Sequence, residues 1–423
     1  MKILLKDVRI VAPLSSFHNT KNDVLIENGY ISAIGNIQAG EGDEVIGGEN
    51  LHLSVGWFDV GTRLGDPGLE HKEDLISGLK AATYGGFTEV ACLPNTKPVI
   101  QTKENIHYLI SKAQALPVCL HVIAAASENL ENKAMAEVYD LHHAGAVAFS
   151  DGNHAITNPG LIVRLLQYLA QLDALLILHS EEKSLTEGGV MNEGEVSVYL
   201  GQKGMPSIAE EIVIVRNLTL LQYAGGKLHF SKISTQGAVE LLRQAKKKGL
   251  QVSCDVAVAN LVFDEDSLTT FDTNFKTNPP LRTKEDQKAL WEGLADGTID
   301  LIVTDHDPQD EESKKLEFDL AEFGMIQLET AFAVLNGTYK NWISLDKLIE
   351  KITTAPRKLF GLDLPKVEIG AVANLTLFDT HKEWTYTENG IASRSRNSPF
   401  IGKQMTGKAI AVFNKGQFID LRK

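Results

Sequence analysis

Apolar runs of strand length alternate with amphipathic helical stretches through the middle of this chain, while its two ends carry strand-like runs alone. Near the start, residues 3–11, 23–35 and 44–53 are short β-type runs, and Glu27-Asn28-Gly29 is a hairpin turn signal. The far end repeats the style in Ala373–Phe378, Ala409–Phe413 and Gly416–Leu421. Ends of one kind around a middle of another predict a small β domain assembled from both termini, residues 1–53 and 361–423.

The middle, residues 54–360, carries eight apolar runs: Val55–Thr62, Thr88–Leu93, Val118–Ala125, Ala146–Ser150, Leu175–His179, Lys227–Ile233, Gln251–Val256 and Leu301–Thr304. Helical patterns follow each of them, for example at Lys72–Tyr84, Asn129–Ala144, Pro159–Leu172, Ser207–Tyr223, Thr235–Lys248 and Thr283–Leu294. Residues 183–205 and 257–282 read as longer loops. Strand-then-helix units in this number predict an α/β fold, a (β/α)8 barrel, with an open doubly wound sheet as the competing architecture. A barrel builds its site where strands end. The polar residues at those ends are Arg63, Asn95, Asp151, His179, Lys232, Asp255 and Asp305.

Charge narrows the partners. The 423 residues carry 55 acidic and 41 basic side chains, a formal net charge of −14, which repels nucleic acid and anionic membranes. No apolar stretch reaches the roughly 20 residues of a membrane span, and MKILLKDVRIV lacks a signal-peptide core. The three cysteines, Cys92, Cys119 and Cys254, sit in separate apolar runs without metal spacing. They read as reduced, buried thiols of a cytoplasmic protein.

Eight segments, in order along nearly the whole chain, carry a family resemblance. They are Asp66-Pro67-Gly68-Leu69-Glu70-His71-Lys72-Glu73, Leu93-Pro94-Asn95-Thr96-Lys97-Pro98, Ala148-Phe149-Ser150-Asp151-Gly152 and Ile233-Ser234-Thr235. Asn278-Pro279-Pro280-Leu281-Arg282, Thr304-Asp305-His306, Gly324 with Leu328-Glu329-Thr330, and Ser393-Arg394-Ser395-Arg396-Asn397-Ser398-Pro399-Phe400 complete the series. The chain thereby resembles dihydroorotases, cyclic-amide hydrolases of pyrimidine synthesis with the amidohydrolase barrel and a small β-sandwich built from both termini.

The resemblance implies a two-zinc site, and this chain departs from it. Where the family has His-x-His on the first strand, Gly61 and Arg63 stand; the carboxylate-binding arginine is Gly65; the metal histidine after the sixth strand is Lys232. Ala257-Val258-Ala259-Asn260 replaces the family's Thr-Pro-His-His, and Gln309 replaces a further histidine. Retained are Asp151, His179 and Asp305 on the metal side, Asp305 in the family's general-base position, and Asn95 on the substrate side. Arginine offers no usable lone pair, and both Arg63 and Lys232 are cations that repel zinc. Their appearance suggests that they replace the metal ions by pairing with Asp151 and Asp305.

The residues therefore lead to a dihydroorotase-like protein without a resident metal, serving as a structural or regulatory partner of aspartate transcarbamoylase. A second reading keeps catalysis, with one zinc at most held by Asp151, His179 and Asp305. A third has Arg63, Lys232 and Asn95 bind a carboxylate-bearing metabolite. Family analogy adds a homodimer. His142, His143 and the run Asp310-Glu311-Glu312 read as solvated, and His154 and His306 as structural residues near the mouth.

Overall fold

The computed structural model describes residues 2–422; Met1 and Lys423, at the outer limits of the expected β domain, lie outside the description. The amino-terminal strands are β1 (Lys2–Ile10), β2 (Lys21–Glu27), β3 (Tyr30–Gly35), β4 (Glu44–Gly47) and β5 (Leu51–Val55). The turn between β2 and β3 has positive φ at both Asn28 (51°) and Gly29 (82°), the requirement that the Asn-Gly pair meets at low cost. The carboxyl-terminal strands, numbered after those of the barrel, join the same sheet.

The barrel strands are β6 (Trp57–Thr62), β7 (Phe87–Cys92), β8 (Cys119–Ala125), β9 (Ala146–Ser150) and β10 (Leu175–His179). A two-residue pair, β11 (Met191–Asn192) and β12 (Gly204–Met205), interrupts the series in the long loop, which also holds two short helices. The barrel resumes with β13 (Lys227–Ser231), β14 (Val252–Ala257) and β15 (Leu301–Val303). These eight form one sheet in the order β15-β14-β13-β10-β9-β8-β7-β6, with neighbouring strands parallel. Its end strands meet through Asp59, which accepts hydrogen bonds from Thr304 N at 2.7 Å and Thr304 Oγ1 at 2.8 Å.

Strands β16 (Leu375–Thr385), β17 (Gln404–Asn414) and β18 (Gln417–Asp420) extend the amino-terminal set, giving the order β18-β17-β16-β5-β1-β2-β3 with β4 beside β1. The apolar side of this sheet encloses its own core, including Ile3, Val24, Leu53, Leu377 and Phe413. The chain is thus an eight-stranded parallel barrel joined to a mixed sheet made from both termini.

Local chemistry places the elements. The helix Leu75–Gly85 starts where Asp74 accepts from Ile76 N and Ser77 N and stops at Gly86, whose φ is 93°. Within β10, Leu175 and Ile177 fill the barrel while Leu176 and Leu178 face the helices, the alternation a strand imposes. One expected helix fails. Asn129–Ala144 holds only a turn at Glu128–Leu130 and the helix Val138–His143. Asn129, Leu130 and Asn132 have left-handed backbones, and Asn132 N donates to Ser127 Oγ at 3.2 Å. Cys92 and Cys254 are buried as expected, but Cys119 is only partly covered. No described helix is long and apolar enough to cross a membrane.

Candidate functional site

Strand ends deliver Arg63, Asn95, Asp151, His179, Lys232 and Asp305 to the barrel mouth, and Lys232 is its centre. The Lys232 ammonium donates to Asp305 Oδ1 at 2.7 Å, to Asn153 Oδ1 at 3.0 Å and to the Asn278 carbonyl at 3.0 Å. Three acceptors use all three of its N–H groups. Both ends of the ion pair have left-handed backbones, φ 54° at Lys232 and 50° at Asp305, a conformation that non-glycine residues adopt at a cost. Asp255 holds the first of these turns by accepting Lys232 N at 2.6 Å, and its other oxygen meets His229 Nε2 at 2.8 Å. Burial pushes the Asp305 carboxyl above its ordinary range, and the Lys232 charge opposes that rise.

The expected partner of Arg63 is corrected. Arg63 Nη1 lies 3.1 Å from Asp307 Oδ2 and donates to Oδ1 at 3.2 Å, so its ion pair is with Asp307 and not with Asp151. The Asp151 carboxylate is already engaged by Ala126 N at 3.1 Å, Ser127 N at 2.9 Å and Ser127 Oγ at 2.5 Å. With no cation bonded to it, Asp151 has its carboxyl raised by burial, against those donors. Gln309 joins the Arg63 arrangement: its Nε2 donates to Asp307 Oδ1 at 3.1 Å, and its Oε1 accepts Lys72 Nζ at 2.6 Å. Arg63 and Gln309 are thus tied together through one carboxylate, that of Asp307.

His179 is 3% exposed, and neither ring nitrogen has a hydrogen-bond partner. Its Nε2 lies 3.5 Å from Glu181 Oε2, beyond good hydrogen-bond length. Glu181 is a site residue that sequence reading missed; the only available signal was a carboxylate two residues beyond a strand-end histidine. Burial works against its charge, but His179, Thr186 and Asn278 hold its carboxyl at about 2. Asn95 donates to the Asp151 carbonyl at 3.2 Å, and its Oδ1 is unpartnered.

Gly61 lines the central cavity and has φ 83°. Gly65 closes a turn through Leu69 N at 2.6 Å, and a Cβ there would lie 2.3 Å from the Leu69 carbonyl oxygen. The local turn therefore excludes a side chain at Gly65, the position expected to correspond to the family's arginine. The remaining histidines fall outside the cluster. His306 Nδ1 accepts from Gln327 N at 3.2 Å and Leu328 N at 3.4 Å, a structural role. His154 and His143 are exposed, whereas His142, expected to be solvated, is half-buried with an unpartnered Nδ1. Asp310, within the expected solvated run, instead caps the helix Glu311–Lys314 by accepting Ser313 N at 2.9 Å.

These donors do not fit a two-zinc centre. Among the described residues no group of three or more His, Cys, Asp or Glu side chains is placed to hold a metal ion. The Asp151 carboxylate is taken up by Ala126 N and Ser127, and that of Asp305 by the Lys232 ammonium. The cavity between Gly61, Lys232, Asp255 and Asp305 measures about 20 Å³, room for roughly one water molecule. A neighbouring space of about 620 Å³ borders Glu181 and Asn278.

Comparison with known proteins adds the lineage. Residues 52–238 match the family model described as dihydro-orotase-like. The chain is 39% identical over 422 residues to a dihydroorotase of Trichlorobacter lovleyi, covering 99% of each. It is 38% identical over 425 residues to that of Geotalea daltonii, covering 100% of each. Among solved structures, the L-hydantoinase (dihydropyrimidinase) of Arthrobacter aurescens aligns with TM-score 0.85 at 25% identity, over 99% of this chain and 96% of that one. A D-hydantoinase aligns with TM-score 0.81 at 24% identity, over 99% and 95%; at that identity the likeness concerns the fold.

Proposed function

The chain belongs to the dihydroorotase family, and we propose that it is a member that serves pyrimidine biosynthesis by binding rather than by zinc-dependent hydrolysis. The observation that carries this reading is the Lys232 ammonium, hydrogen-bonded to Asp305 at 2.7 Å where the family pattern requires an imidazole. A general base that must approach a metal-bound water is here the partner of a fixed cation. Charge balance supports the same reading at two carboxylates: Lys232 neutralises Asp305 and Arg63 neutralises Asp307.

The partner in this reading is aspartate transcarbamoylase, the enzyme with which zinc-deficient relatives associate by family resemblance. Fold does not fix function, and helices and loops of an intact barrel can form an interface without any chemistry at the mouth. Sedimentation of the two purified proteins together tests the partner; independent boundaries at micromolar concentration would remove it.

The same protein assayed with dihydroorotate and added zinc, cobalt or manganese tests the loss of hydrolysis. No turnover above background is expected. Metal-dependent turnover abolished by Asp305→Ala would establish the alternative, a hydrolase with a reduced metal site at Asp151, His179 and Asp305, which the two unpartnered nitrogens of His179 favour.

A further inference from the structure

A second cavity, of about 590 Å³, lies where the barrel meets the terminal sheet. Its volume falls within the roughly 300–1,000 Å³ of small-molecule sites, which concentrate at such junctions. Tyr84 and Phe332 line it from the barrel helices, Trp384 from β16, and Tyr386 from just beyond that strand. Two lysines stand against these rings. Lys80 Nζ is 5.5 Å from the Tyr84 ring centroid, and Lys408 Nζ is 5.2 Å from that of Trp384.

Lys80 and Lys408 share the lining with Glu329 and Asp420, and neither lysine is ion-paired with either carboxylate. Glu329 is occupied by the amides of Ala392 and Ser393, at 3.0 and 3.2 Å. Asp420 receives the Arg422 guanidinium at 2.7 Å. Asp379, opposite Lys408 in the β16–β17 ladder, turns its carboxylate to the amides of His381 and Lys382, at 2.7 and 3.1 Å. The half-buried Lys408 is left with Lys382, a second cation, as its charged neighbour, and burial together with that cation lowers its pKa. A cation withdrawn from water without a counter-ion is costly, and this one occurs in a chain of net charge −14.

We propose that this junction cavity binds a planar heteroaromatic anion, with its ring among Tyr84, Trp384 and Tyr386 and its charge at Lys80 and Lys408. Aromatic walls accept a flat ring, and the unpaired ammonium groups supply charge-assisted hydrogen bonds. The charge can be a phosphate or a carboxylate. The site is separate from the barrel mouth and does not depend on whether the mouth retains chemistry.

Titration calorimetry on the full chain tests this, using uridine 5′-monophosphate for a phosphate, nicotinate for a ring carboxylate, and uridine as the neutral control. At least one charged probe should bind with quenching of tryptophan fluorescence, and uridine should bind at least about tenfold more weakly. Preference for the nucleotide identifies phosphate as the recognised group; preference for nicotinate identifies carboxylate. Lys408→Met should weaken binding about tenfold, Lys408→Arg should retain most of it, and the thermal midpoint of Lys408→Met should not fall. If Lys408→Met does not fold, Lys80→Met and Trp384→Phe carry the same expectation. Binding of neither charged probe at millimolar concentration, or full affinity in the folded variants, would overturn the proposal.

Discussion

The two ends of the barrel hold buried charge in different ways. At the amino-terminal end of the strands, Glu89 accepts Arg357 Nη2 at 2.7 Å and Nε at 3.1 Å, His121 Nε2 lies 2.8 Å away, and Asn374 donates at 2.9 Å. Arg357 Nη1 completes the set with the carbonyls of Gly56 and Thr353, both at 2.8 Å. At the mouth, Lys232 and Asp305 are equally well joined, but Arg63 Nε, Asn95 Oδ1, Ser180 Oγ and both His179 nitrogens are unpartnered. A fully satisfied cluster stabilises a fold, whereas buried groups with unused bonding capacity mark a place where water or a ligand completes the structure. The contrast separates the end that holds the barrel together from the end whose buried polar groups keep unused bonding capacity.

The largest effect should come from breaking the satisfied end. Arg357→Met leaves Glu89 charged and buried, and should cost about 4 kcal/mol in urea unfolding. Burial would raise the Glu89 carboxyl, yet His121 and Arg357 hold it at about 2, against an ordinary 4.5. A depressed carboxyl stabilises the fold fully above its unfolded value. That contribution, about 3 kcal/mol, is therefore lost as pH falls from 4.5 towards 2. The same acid titration of Arg357→Met should be much flatter, and an unchanged slope would show that the cluster does not govern acid stability.

Next comes the mouth pair. Lys232→Met should cost about 3 kcal/mol by stranding Asp305, and the double variant with Asp305→Asn should recover most of it. If the double variant is no better than the single, Lys232 acts through packing and not through charge. Asp151→Asn should reverse the sign. Because burial raises the Asp151 carboxyl, its folded form favours the proton, so stability falls as pH rises through its folded pKa. The variant should gain less than about 1 kcal/mol at pH 7, and the gain should vanish in acid. The smallest change belongs to Arg63→Gln, about 1 kcal/mol, because the arginine end of that pair is partly exposed and Gln309 Nε2 still donates to the buried Asp307.

How far the sequence could be read follows the same divide. Ala146–Ser150 and Leu175–His179 were legible to the residue because each is an apolar run ended by a polar strand-end residue. The stretch at 129–144 misled because its helical spacing is overridden by Ser127, which binds both Asp151 and Asn132 N. That Gly61, Arg63 and Lys232 stand where the resemblance to dihydroorotases implies imidazoles was legible without the structure. The choice of partner for Arg63 was not. It depends on Asp151 having been satisfied by a neighbouring loop, and on Asp307 being carried to the same place from 244 residues away. Local pattern encodes neither. The Lys232–Asp305 pair was anticipated because both belong to one barrel rim, where opposite charges at adjacent strand ends have few other places to go.

Metal analysis of the chain, purified without chelators and dialysed against zinc-containing and then zinc-free buffer, addresses the central claim most directly. An ammonium fixed among Asp305, Asn153 and Asn278 should leave zinc at about 0.1 ion per chain or below, because the carboxylate it occupies cannot also serve a divalent cation. Retention of one or two ions per chain, with Lys232 displaced from Asp305, would contradict the account.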